Sequence, residues 1–131
     1  MRMQIKRVYE PPAPADGYRI LVDRLWPRGL SKKRAAVDEW LREVTPSPAL
    51  RRWFGHEPAR WAEFKRRYFQ ELRAEPGATA VARLRTLGAR RRVTLLYAAR
   101  DEVHNNAVAL REHLGPPRRG KRTAARDDST G

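Results

Sequence analysis

Short apolar runs alternate along this chain with charged segments broken by proline and glycine, and the spacing within each run sorts it into strand or helix. Gln4-Ile5-Lys6-Arg7-Val8-Tyr9 alternates polar and apolar residues, the period of a strand with one covered face. Glu10 to Gly17 then interrupts structure with three prolines and a glycine. Tyr18-Arg19-Ile20-Leu21-Val22 ends in a continuous apolar run, as expected of a central strand covered on both faces. Val93-Thr94-Leu95-Leu96-Tyr97-Ala98-Ala99 is the clearest buried strand of the chain.

Between these strands the apolar period changes to that of a helix. Val37, Trp40, Leu41 and Val44 predict a helix that ends at Thr45-Pro46-Ser47-Pro48, where Ser47 is placed to cap the next one. Leu50, Trp53 and Phe54 form a short apolar face that stops at Gly55. Trp61, Phe64, Tyr68 and Leu72 lie on a single helical stripe whose opposite face is charged, so the stripe belongs in the core. A further helix carries Ala80, Leu84 and Leu87 with Gly88 as its expected stop, and a last one carries Ala107, Leu110 and Leu114 before Gly115-Pro116-Pro117. The pattern predicts one α/β domain over residues 1–114, with a small, mainly parallel sheet of about three strands flanked by about five helices. Residues 115–131 lack apolar anchors and are expected to form a basic, disordered tail.

Two of the strands run into chemically rich loops. Ile20-Leu21-Val22 delivers Asp23, Arg24, Trp26, Pro27, Arg28 and Gly29, while Leu95-Leu96-Tyr97 delivers Arg100, Asp101, His104 and Asn105. Open α/β sheets bind ligands outside the carboxyl ends of their strands, so parallel neighbours would bring the two loops together. Arg24 and Arg28, with the start of the helix near Asn105, suit a phosphate or carboxylate, and Trp26 suits stacking on a planar group. Asp23, Asp101 and His104 are the residue types of general acid–base catalysis, which would suit hydrolysis or transfer at a glycosidic or phosphate ester bond. Each also has a plain structural reading: Asp101 as a helix cap, Asp23 as a partner of Arg24 or Arg28, His104 as a polar residue at a helix start. His56, in the joint Trp53-Phe54-Gly55-His56-Glu57-Pro58, joins the pocket if that joint folds over the strand ends.

Composition narrows the classes. The chain has 131 residues and no cysteine, which rules out disulfides, thiolate metal sites and a cysteine nucleophile. Its three histidines approach no zinc spacing, and no dinucleotide fingerprint or phosphate-loop glycine pattern occurs, so neither a metal nor a cofactor is expected. The start of the chain lacks the apolar stretch of a signal peptide, and no apolar run is long enough to span a membrane, so a cytoplasmic protein is expected. The net charge of +14 raises a rival reading, a basic nucleic-acid-binding module that uses Arg90, Arg91, Arg92 and the tail. Of the 29 basic residues 24 are arginine, a bias that a codon-skewed genome also produces, and no nucleic-acid-binding motif accompanies them.

Tyr9-Glu10-Pro11-Pro12, Asp16-Gly17-Tyr18-Arg19, the run from Val22 to Lys32, Trp53-Phe54-Gly55-His56, and Leu95 to Ala99 with Asp101, His104 and Asn105 closely resemble the YeaO-like branch of the domain of unknown function 488 family. The match extends from about Ile5 to Leu114, and so many rare residues in order make it specific. The resemblance implies a small α/β domain with a short, mainly parallel sheet. Other branches of that family carry a Cys-His-Arg motif after the last strand. The corresponding residues here are His104-Asn105-Asn106, so thiol chemistry does not carry over. The leading expectation is a small anionic or nucleotide-like ligand at the strand ends; whether the protein turns it over is left open by the residues.

Overall fold

The computed structural model describes residues 3–115. Strands β1 (Met3–Arg7), β2 (Tyr18–Leu21), β3 (Glu39–Trp40) and β4 (Val93–Tyr97) form one parallel sheet in the order β1-β4-β2-β3. The helices are α1 (Lys32–Ala35), α2 (Pro48–Phe54), α3 (Trp61–Arg73), α4 (Gly77–Arg90) and α5 (Asn106–Leu114), with single 3-10 turns between some of them. The α/β class, the parallel sheet and the number of helices agree with the sequence pattern. The sheet has four strands rather than three. The tail expected over 115–131 lies outside the described residues except for Gly115, which ends α5.

The extra strand comes from the segment expected to be a helix over Val37–Val44. Ala36 adopts a left-handed conformation (φ 51°) that closes α1 after one turn. The Arg19 N–H then donates to Asp38 Oδ2 at 2.8 Å and the Asp38 N–H to the Arg19 carbonyl at 2.8 Å, which draws the chain along the open edge of β2. Trp40 packs beneath the sheet while Leu41 and Val44 enter the main core, so one apolar set at helical spacing is divided between two faces. Gly88 does not stop α4 either. It continues the buried positions Gly77, Ala80, Val81 and Leu84, and the helix runs on to Arg90.

Both faces of the sheet are covered, which explains the unbroken apolar runs of β2 and β4. One face carries Ile20, Val22, Val93, Leu95 and Tyr97 against Phe54, Phe64, Tyr68, Leu72, Leu84 and Leu110 of the helices. On the other, Leu21 and Leu96 pack with Val8 and Ala35, and Trp26, Leu30 and Trp40 lie against them. The remaining part of that second face is ionic. Arg19, in the central strand and 4% exposed, donates to Asp16 at 2.6 Å, to the Ala35 carbonyl at 2.7 Å and to the Ala36 carbonyl at 2.9 Å. Lys6 reaches Asp16 from β1 at 3.1 Å. This knot of charge fastens the far end of the loop that begins at Asp23.

Candidate functional site

β2 and β4 are parallel neighbours, with Leu21 opposite Leu96, so their carboxyl ends open side by side. The junction is tied at Asp23. Its Oδ2 accepts the Ala98 N–H at 2.8 Å, and Asn106 Nδ2 donates to its Oδ1 at 3.2 Å and to the Val22 carbonyl at 2.8 Å. Both strand-end loops and the first residue of α5 therefore meet at one carboxylate. Over this junction lies a cleft of about 1020 Å³, near the upper end of the range for small-molecule pockets.

All eight residues proposed from the sequence line that cleft: Asp23, Arg24, Trp26, Arg28, His56, Asp101, His104 and Asn105. Their local bonding separates scaffold from free functionality. Asn105, 4% exposed, is the N-cap of α5: its Oδ1 accepts the Val108 N–H at 3.0 Å and its Nδ2 donates to the Asp101 carbonyl at 2.9 Å. Asp101 instead shapes the loop ahead of that cap. Its Oδ1 accepts the Val103 and His104 N–H groups, both at 2.9 Å, and its Oδ2 faces His104 Nδ1 at 3.0 Å. The bonds from the His104 and Val103 backbone, joined by the His104 ring, pull its pKa down to about 2. An ionised carboxylate only accepts, so Nδ1 of His104 carries the proton and Nε2 is left to act as an acceptor when the ring is neutral. The ring stands edge-on to Trp61, with centroids 5.3 Å apart.

The loop after β2 is braced by two indoles. Trp26 Nε1 donates to the Leu30 carbonyl at 2.6 Å, and the ring meets Trp40 edge-on at 5.5 Å. Trp40 Nε1 donates to the Asp23 carbonyl at 2.7 Å. Pro27 is buried, and Gly29 takes φ 76° in the turn that returns the Leu30 N–H to the Pro27 carbonyl. Arg24 and Arg28 emerge from this braced loop as exposed side chains. Tyr9 fixes the loop from the β1 side by donating to the Arg28 carbonyl at 2.8 Å. On the opposite wall Gly55 and His56 are consecutive left-handed residues, φ 53° and 59°, and they turn His56 into the cleft beside Phe54. Trp53, in the same joint, does not line the cleft: it is partly buried against the main core, with Arg60 and Arg67 over its ring.

Reasoning from sequence omits Arg7, Arg51 and Asn106, and it places Arg100 on the loop without giving it a role. All four line the cleft. Arg7 closes β1, so it obeys the same strand-end rule as Asp23 and Asp101; extending the first strand to Tyr9 hides this. It donates to the Ala99 carbonyl at 3.0 Å and lies over the Tyr9 ring. Arg51 reaches the site only because α2 crosses above the strand ends, and no local pattern announces that. The cleft thus holds five arginines (7, 24, 28, 51 and 100) against two carboxylates. Burial raises the pKa of Asp23 above the usual carboxylate range, against the opposing pull of Ala98, Asn106 and the nearby Arg51. Among the described residues no cluster of His, Asp and Glu is arranged to hold a metal ion, and no helix is long and apolar enough to cross a membrane.

A family model described as "Inactive DUF488-N3 subclade" matches residues 2–130. The "Uncharacterized protein YeaO" of Escherichia coli (strain K12) is 44% identical over 114 residues, covering 87% of this chain and 97% of that protein. The "Uncharacterized protein Mb3100c" of Mycobacterium bovis and the "Uncharacterized protein Rv3073c" of Mycobacterium tuberculosis (strain H37Rv) are each 42% identical over 113 residues, covering 86% of this chain and 93% of those proteins. No solved structure matches at a significant level.

Proposed function

The chain belongs to the inactive DUF488-N3 subclade, and on that premise we propose that it binds a small anionic ligand in the strand-end cleft without turning it over. The observation that carries this reading is the charge of the cleft: five arginines line one space in which Asp101 is already committed to His104. Arginine presents planar, fixed donors that fit phosphate and carboxylate oxygens in pairs. Arg24 and Arg28 are the exposed pair on a rigid loop, and they hold the anion; Arg7, Arg51 and Arg100 complete the field. His104, oriented by Asp101, offers a directed nitrogen to a polar group of the ligand. Trp26 contributes a wall, since its N–H is already used by Leu30. The word "inactive" in the family's description favours retention of a ligand over acid–base turnover by Asp23, Asp101 and His104.

Several arginines outside the cleft are engaged by partners of their own, which favours the cleft over those parts of the surface. Arg66 and Arg67 pair with Glu63, Arg83 pairs with Glu39, and Arg91 lies over Tyr18. The test is a thermal-shift and calorimetric titration with pyrophosphate, using the unmodified protein and the double variant Arg24→Ala/Arg28→Ala. Pyrophosphate is expected to raise the melting temperature of the former and leave the latter unmoved. Without ligand the two should melt within a few degrees of each other, because exposed substitutions change stability by about 0.5 kcal/mol or less. A shift that survives in the double variant, or none in either protein, refutes the proposal.

A further inference from the structure

Five arginines alone would make a site for any anion, yet the junction beneath them is built around a carboxylate. Asp23 lines the cleft and sits half-buried where β2, β4 and α5 meet. A carboxylate has roughly four lone-pair sites. Two donors, the Ala98 N–H and Asn106 Nδ2, occupy Asp23 from the protein side. Among the described residues it makes no ion pair, and Arg51 acts on it as a counter-charge without a bond. Burial outweighs those two bonds and raises its pKa, the mark of a carboxylate that is short of donors. A bare anion brought into this cleft meets Asp23 as a like charge. A ligand that carries hydrogen-bond donors beside its anionic group supplies what Asp23 lacks and removes the conflict.

The kind of donor follows from the same surroundings. An ammonium group would have to enter a cleft lined by five arginines, so neutral hydroxyls are the donors the field accepts. We infer that Asp23 is the specificity-determining residue of the cleft, selecting a phosphorylated polyol whose phosphate meets the arginines while its hydroxyls donate to the Asp23 carboxylate. This rests on the anion-binding reading above and narrows it to a substrate class. The shared chemistry is a sugar phosphate, either free or as the ribose phosphate of a nucleotide. The volume of about 1020 Å³ accommodates both.

Calorimetry of the full chain with methyl phosphate, ribose 5-phosphate and adenosine monophosphate decides it. Methyl phosphate carries the anion without hydroxyls, so the comparison needs no variant. In the unmodified protein ribose 5-phosphate is expected to bind about tenfold or more tighter than methyl phosphate, the gain typical of hydrogen bonds to a charged group. In Asp23→Asn that ratio should collapse to about two, with methyl phosphate gaining affinity and ribose 5-phosphate losing it. Adenosine monophosphate binding tighter than ribose 5-phosphate identifies the polyol as part of a nucleotide; weaker binding identifies a free sugar phosphate. Equal binding of methyl phosphate and ribose 5-phosphate by the unmodified protein overturns the role of Asp23 and leaves anion binding standing. If none of the three binds, both readings fall. The unmodified protein is sufficient for the comparison even if Asp23→Asn, which sets an amide N–H₂ against the donor of either Ala98 or Asn106, does not fold.

Discussion

Replacing Arg19 by alanine is expected to remove about 4 kcal/mol of folding free energy, and the structure allows that figure to be built up. Arg19 is 4% exposed and makes its three bonds to Asp16, the Ala35 carbonyl and the Ala36 carbonyl within 2.6–2.9 Å. Truncating one partner of a buried ion pair costs about 3–5 kcal/mol, mostly because the other charge is left behind. Here Asp16 keeps Lys6 at 3.1 Å and the Ala13 N–H at 3.0 Å, which places the ionic part near the lower end of that range. The two stranded carbonyls add about 1 kcal/mol between them once water reaches the opened space. With an unfolding entropy of about 2.1 cal/mol/K per residue over residues 3–115, the loss lowers the melting temperature by roughly 17 °C. Urea unfolding monitored by tryptophan fluorescence measures it directly, with the midpoint falling while the slope stays unchanged. Arg19→Met, which keeps the aliphatic stem, should still lose about half of the stability lost by alanine. A loss below about 1 kcal/mol for Arg19→Ala would mean that the knot is solvated rather than structural, and the figure built on its burial would fall.

Acid stability tests the same knot from its other side. Burial resists ionisation of Asp16, but bonds from the Ala13 N–H, Lys6 and Arg19 outweigh it and hold its pKa below the ordinary 3.8. A lowered folded-state value means that its stabilisation is complete above about pH 4 and is lost as the pH falls through the folded value. Asp16→Asn is therefore expected to unfold less steeply than the unmodified protein between about pH 4 and 2, read as melting temperature against pH; parallel curves would contradict this. Gly17→Ala is expected to cost at least about 3 kcal/mol in denaturant unfolding. The residue sits at φ 65°, and an added Cβ would lie 2.4 Å from the Arg92 carbonyl oxygen, a backbone atom that cannot swing aside. A near-neutral substitution there would show that the segment before β2 shifts freely.

The fold and the site are legible in the sequence to different depths, for reasons that lie in particular residues. The loops after β2 and β4 can be paired from the sequence because each follows a fully apolar run and becomes charged at once, and the rule for parallel sheets does the rest. The short strand Glu39–Trp40 cannot be read, because Val37, Trp40, Leu41 and Val44 have helical spacing and the forces that override it, the left-handed Ala36 and the Asp38–Arg19 bonds, are set by tertiary contacts. Arg19 itself carries a signal that the apolar pattern masks: a basic residue in an otherwise apolar central strand must have buried partners. Within the site, most of the side chains on the loops after β2 and β4 are found; Arg7 is hidden because the alternation of β1 reads on to Tyr9, and Arg51 arrives from α2, whose placement over the sheet no local pattern encodes. The cap lies four residues on from Asp101, at Asn105, because both residue types cap helices and only the backbone shows where the helix starts.

Anion binding between the two strand-end loops is the claim from which the rest follows, and amide chemical-shift mapping of the ¹⁵N-labelled full chain during a phosphate titration examines it residue by residue. Saturable shifts concentrated at residues 23–28 and 98–106, with Arg51 and His56 among them, are expected. Shifts spread instead over the arginine-rich faces around residues 66–67 and 90–92, growing linearly and vanishing with added salt, would show that the cleft is not where anions bind.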